Sequence, residues 1–106
     1  MGPDVKRGEV WLAEVGGKRR PVLILTRSEV IDVRSLATES EISSLKRGLA
    51  AEVEFDQDEA GIDQESVINC DGLHTALQSS LTGRLGRVDE EVMHRVCSAI
   101  NYAVGC

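Results

Sequence analysis

Glycine, alone or in pairs, breaks the first 88 residues of this chain into short apolar segments. Gly16-Gly17, Gly48, Gly61, Asp71-Gly72, Gly83 and Gly86 are turn signals at short intervals, a spacing that predicts many short strands and hence an all-β sandwich or small barrel. Residues 8–15 read as a strand carrying Val10, Trp11, Leu12 and Val15. Residues 22–25 are continuously apolar, as expected of a central strand covered on both faces, with Pro21 at its first position where a missing donor costs least. Ala51, Val53 and Phe55 alternate with Glu52, Glu54 and Asp56, which predicts a strand over 51–56 with one face in water. Residues 66–69 and 81–88 supply two more strands. Over 36–44 the pattern is weaker, since Glu39 and Glu41 share one side with Ser43, and a surface-facing or cleft-facing strand is expected there. Residues 28–34 could add one helical turn.

Only the C-terminal segment has helical periodicity. Asp89 is a good N-cap, and Glu90 and Glu91 sit well in the first turn against the helix dipole. Val92, Val96, Ala99, Ile100, Ala103 and Val104 then form one apolar stripe, and Gly105 ends it. That stripe needs a partner, and the β-sheet is the one the chain offers. With 106 residues the chain is expected to form one domain, over 6–106, preceded by a flexible extension over 1–5.

Charge and cysteine usage narrow the function. Cys70, Cys97 and Cys106 are scattered and odd in number, which fits reduced thiols of a cytoplasmic protein and neither a disulfide framework nor a zinc site. Residues 1–7 hold no apolar stretch of the kind a signal sequence needs, and no apolar run approaches about 20 residues, so a soluble protein without membrane association is expected. Aromatic residues are few, and no stacking platform for single-stranded bases is visible. A net charge of −6 argues at first against a nucleic-acid partner. The distribution says otherwise: residues 18–47 hold seven basic and four acidic side chains, whereas 48–71 hold eight acids and no base. Fields act locally, within about 10 Å at moderate salt, so the basic stretch can serve a phosphate ligand despite the total. The same numbers also describe an ordinary solvated surface.

Within the basic stretch, Lys18, Arg19 and Arg20 directly precede an apolar strand that would hold their roots rigidly. Arginine offers a flat fork of donors suited to phosphate oxygens. Ser43, Ser44, Lys46 and Arg47 add hydroxyls and cations at another strand end. If the two ends are neighbours they could hold a phosphodiester. His94, on the helix, is expected to face solvent, and Cys70 to be a core thiol, since no adjacent base marks it as a nucleophile. His74, after the Asp71-Gly72 turn signal, suits a structural place at a strand edge or an auxiliary place in a site.

Taken in order, Lys-Arg-Gly-Glu-Val-Trp-Leu (6–12), Arg-Arg-Pro-Val-Leu-Ile-Leu (19–25), Glu-Ile-Ser-Ser (41–44), Glu-Ser-Val-Ile-Asn-Cys-Asp-Gly-Leu-His-Thr (65–75) and a glycine-bounded strand before a final helix (82–105) resemble the MazF/PemK toxins of toxin–antitoxin systems. The resemblance implies a mainly β fold, a small SH3-like antiparallel barrel of the CcdB/PemK type with a C-terminal α-helix. It implies a homodimer, a cognate antitoxin, no cofactor or metal, and cleavage of single-stranded RNA (mRNA, with tRNA or rRNA as further targets) at short sequences. Arg20, directly before the strand proline, takes the place of the family's catalytic arginine, and Ser43 that of its catalytic threonine. Lys18, Arg19, Ser44, Lys46, Arg47 and His74 are the expected RNA-binding set, with the general base unassigned. The expected products are a 2′,3′-cyclic phosphate and a 5′-hydroxyl.

This chain departs from the pattern in having serine at 43, a short loop at 16–19, histidine at 74 where many relatives carry arginine, and Glu39 and Glu41 beside the site. Two other readings use the same scaffold: a CcdB-like inhibitor of DNA gyrase, and a catalytically silent member that only binds an antitoxin. The pair Arg20 and Ser43 favours the nuclease.

Overall fold

The computed structural model describes residues 5–26, 36–45, 47–48 and 50–103. Lys46, the turn expected over 28–34, Arg27, Arg34, residues 1–4 of the N-terminal extension, the Val104-Gly105 end of the helix and Cys106 lie outside the described residues. The elements are β1 (Glu9–Val15), β2 (Lys18–Ile24), β3 (Leu36–Ser43), β4 (Glu52–Val53), α1 (Gln57–Ala60), β5 (Val67–Leu77), a 3-10 turn (Gln78–Ser80), β6 (Leu81–Arg87) and α2 (Glu90–Ala103). Among the described residues all strand pairs are antiparallel, in one sheet of order β4-β5-β3-β2-β1-β6. The fold is mainly β with a C-terminal helix, as expected.

Gly16 and Gly17, both at positive φ (58° and 79°), form the two-residue hairpin between β1 and β2. Their conformation matches the twist of the flanking strands, which is why such short hairpins favour glycine. The sheet curls until α1, following one edge strand, lies against Leu85 and Gly86 of the other edge strand, β6. Inside the curl, Val10, Leu23, Ile42, Ile68 and Cys70 pack with Val88 and with Val92, Val96 and Ala99 of α2. The helix stripe read from its spacing is thus buried against the sheet. Asp89 caps α2, its Oδ1 accepting from the Val92 N–H at 2.9 Å. A second, smaller core on the opposite sheet face joins Trp11, Ala13, Val22, Ile24 and Leu81 to Val5, which is buried although it fell within the expected flexible extension.

Four local expectations need correction. Pro21 lies inside β2 opposite Leu12, not at the strand's start; β3 pairs only from Val22 onward, so Pro21 sits where β2 has a neighbour on one side. The strand expected over 51–56 is reduced to Glu52–Val53, because Asp56 caps α1 by accepting from the Asp58 and Glu59 N–H groups at 3.0 and 3.3 Å. Asp56 followed three residues later by Glu59 is a helix-start pattern that the alternation masked. Asp71-Gly72 is no turn: β5 runs on for eleven residues, and the pair forms part of a bulge. Finally β3, expected to face the surface or a cleft, is an interior strand between β5 and β2, with Glu39 and Ser40 buried and only Glu41 and Ser43 of its acid-and-serine side partly exposed.

The bulge orients the site. Pairing passes from Glu41↔Asn69 directly to Ser40↔Leu73, leaving residues 70–72 without a β3 partner. An odd number of extra residues inverts the side-chain alternation along β5. Ile68 and Leu73 therefore both pack against the α2-side core, while Asn69 and His74 share the face of Glu41 and Glu39.

Candidate active site

The antiparallel pairing of β2 with β3 sets the start of one beside the end of the other. Val22 is opposite Glu41, so Arg20 and Ser43, each two residues further out, share its face at adjoining strand ends. Lys18, Arg19 and Arg20 stand exposed after the Gly16-Gly17 hairpin, and Ser44 is exposed just beyond β3. The two strand ends that carry the expected cations and hydroxyls are neighbours. Ser43 is half-buried, and its Oγ accepts from the Leu45 N–H at 3.1 Å, which fixes an acceptor side while leaving the hydroxyl proton able to donate. Arg47 is turned toward β4: its N–H donates to both carboxylate oxygens of Glu52 at 3.0 and 3.1 Å, and its Nε lies 3.7 Å from Glu52 Oε2. That charge is partly matched within the protein.

At the centre of the same face lies a carboxylate that the sequence reading set beside the site without giving it a catalytic role. Glu41 bridges two elements, with Oε1 4.0 Å from Arg20 Nη1 on β2 and Oε2 3.3 Å from His74 Nε2 on β5. Arg20 and His74 are each about half exposed and reachable by a ligand, and Glu41 somewhat less. Two residues along β3, Glu39 is opposite His74 and only 1% exposed. Neither of its carboxylate oxygens has a hydrogen-bond partner among the described residues. Burial pushes its carboxyl above the ordinary value of 4.5, and the nearby His74 acts in the opposite sense. A carboxylate so placed is costly when charged and cheaper when protonated.

The other candidates fall away from this face. His94 is exposed on α2. Cys70 is a core thiol whose burial, aided by Asp71, pushes it up to about 11, far from a reactive thiolate. Among the described residues, no group of three or more His, Cys, Asp or Glu side chains is placed to hold a metal ion, and no helix is long and apolar enough to cross a membrane.

Fold and site together describe a small, mainly β protein with a cation, a carboxylate, an imidazole and a hydroxyl on one rigid sheet face. The chain belongs to the PemK-like, MazF-like toxins of type II toxin–antitoxin systems, whose family model matches residues 6–104. It is 31% identical over 102 residues to the probable endoribonuclease MazF2 of Mycobacterium tuberculosis, an alignment covering 96% of this chain and all of that one. It is 36% identical over 103 residues to the probable endoribonuclease MazF5 of the same organism, covering 94% and 93% of the two chains. The solved structure of the Mycobacterium tuberculosis toxin MazF-mt6 superposes with a TM-score of 0.85 at 32% identity, over 92% of this chain and 96% of that one. A mycobacterial endoribonuclease solved in complex with its cognate antitoxin shares the fold, with a TM-score of 0.85 at 21% identity over 95% of each chain.

Proposed function

We propose that this protein is a sequence-selective endoribonuclease toxin of the cytoplasm that cuts single-stranded RNA and is neutralised by a cognate antitoxin. The observation that carries the reading is the placement of Arg20 and Ser43 on one face at adjoining strand ends. RNA brings its own nucleophile, so the protein has chiefly to position the backbone and stabilise charge. The 2′-oxygen attacks phosphorus, the bond to the 5′-oxygen breaks, and the products are a 2′,3′-cyclic phosphate and a 5′-hydroxyl. Arg20 neutralises the charge that grows on the phosphorane oxygens, and Ser43 donates a hydrogen bond to one of them, without a metal ion. Lys18, Arg19 and Ser44 line the approach, with Arg47 at its margin. The active form is a homodimer. The antitoxin competes for the same surface through an acidic segment that orders on binding, because an acidic peptide and an RNA backbone present similar charge to it.

The test is incubation of the full chain with a long, weakly structured RNA in excess EDTA, followed by mapping of the 5′ ends. Discrete cuts bearing 5′-hydroxyls are expected. Intact RNA, together with inhibited DNA supercoiling by gyrase, would replace this reading with the CcdB-like one.

A further inference from the structure

We infer that His74 and Glu41 form the general base of the cleavage, with His74 taking the 2′-hydroxyl proton and Glu41 holding the imidazole for that task. The inference rests on the nuclease reading and supplies the proton acceptor which that reading leaves open. Removing the 2′-hydroxyl proton needs a group with affinity for it near neutral pH, and an arginine and a serine are both poor acceptors there. On the face that carries Arg20, the Glu41 carboxylate reaches Arg20 with one oxygen and His74 Nε2 with the other. Arg20 and His74 are thus tied to one anion, and a phosphate drawn to Arg20 arrives beside the imidazole.

The hydrogen-bond arrangement gives each partner its role. With Nε2–H donated to Glu41 at 3.3 Å, the second ring nitrogen carries the lone pair and is the acceptor. Once that nitrogen takes the proton, the ring becomes a cation facing Glu41, which stabilises it. The 2′-oxygen forms its bond to phosphorus, the electron pair of the breaking bond stays on the 5′-oxygen, and water supplies the proton there. His74 later releases its proton to solvent, so charge and protons balance over one turnover. His74 is the catalytic residue of the pair, and Glu41 is a positioning residue.

Charged groups face the ring from the neighbouring strands. From β3 it is faced by Glu41 and by the buried Glu39 directly opposite, and from β2 by Arg20 through Glu41. From the β4 side, Glu52 is opposite Asn69 at the far end of β5 and is engaged with Arg47. As an exposed hydrogen-bonded contact, Glu41 and His74 would contribute little to stability.

The test is the pH dependence of single-turnover RNA cleavage for the wild type, His74→Gln, Glu41→Gln and His74→Ala with added imidazole. The wild-type rate should rise about tenfold per pH unit on an acidic limb and then level off. His74→Gln should lose that limb and cut about a hundredfold or more slowly at the plateau. Glu41→Gln should keep the limb but lower the plateau rate, because the imidazole is no longer held for the transfer. Imidazole should partly restore His74→Ala. If His74→Gln cuts RNA with the wild-type limb and rate, the inference is overturned while the nuclease reading stands. If the wild type leaves RNA intact at every pH, the nuclease reading fails and takes this inference with it.

Discussion

Replacing Gly86 by alanine tests how the sheet is closed. A Cβ at Gly86 would lie 2.3 Å from the Glu59 carbonyl oxygen and 2.5 Å from the Ala60 carbonyl carbon, both backbone atoms of α1. Carbon atoms in contact sit about 3.5–4.0 Å apart, so α1 and β6 must separate by roughly 1 Å to admit one methyl group. Overpacking costs about 1–3 kcal/mol even where flexible side chains can yield, and here the obstacle is backbone. At about 3 kcal/mol and roughly 4–8 °C per kcal/mol for a domain near this size, the melting temperature should fall by about 12–24 °C. Gly83, in the same strand, has nothing within 4 Å of its Cβ position. Gly83→Ala should therefore leave the midpoint within a few degrees of wild type, or raise it slightly, since glycine weakens a strand interior by about 0.5–1 kcal/mol. Thermal melts followed by circular dichroism compare the two. Equal shifts would refute the reasoning, because the variants differ only in what the new methyl meets.

Two further outcomes follow from single side chains. Burial raises the Glu39 carboxyl above 4.5, so the folded protein holds that proton more tightly than the unfolded chain; its contribution to stability is present below about pH 4.5 and lost as pH rises through the folded-state value. Glu39→Gln should remove that decline, and urea midpoints at pH 4.5, 6 and 8 should show the variant gaining on wild type as pH rises; parallel midpoints would contradict it. Asp89→Ala leaves the Val92 N–H without its cap and should cost about 0.5–2 kcal/mol, whereas Asp89→Ser should retain most of the stability. Denaturant unfolding at neutral pH distinguishes them, and equal losses would assign the effect to something other than the cap.

What could be read from the amino acids alone was local. Gly16-Gly17 marks its hairpin because the conformation it needs belongs to those two residues. The α2 stripe is legible because Val92, Val96 and Ala99 repeat with the helix itself. Arg20 and Ser43 are proposed from the order of short motifs, and the β2–β3 register puts the two positions on one face. The centre of the site was not legible. Which residues face Glu41 depends on the register of β3 with β5, strands some thirty residues apart, and that register changes at the bulge over 70–72. Asp71-Gly72 is compatible with a turn or a bulge, and only the packing of Ile68 and Leu73 on the same side decides between them. Glu39 was misplaced for a related reason: an acid in a weakly alternating segment suggests solvent, while β3 has neighbours on both sides.

The central claim is that phosphodiester cleavage is centred on Arg20 and assisted by Ser43. Its most direct test is the single-turnover rate of RNA cleavage by Arg20→Ala, Ser43→Ala and Ser43→Thr, each first shown by circular dichroism to be folded. Arg20→Ala should lose about a hundredfold or more, the usual effect of removing one preorganised contact to transition-state charge, on the order of 2.7–4 kcal/mol. Ser43→Ala should also be slow, and Ser43→Thr active, since threonine keeps the hydroxyl and narrows its rotamers. A folded Arg20→Ala protein that cuts RNA at the wild-type rate would contradict the account.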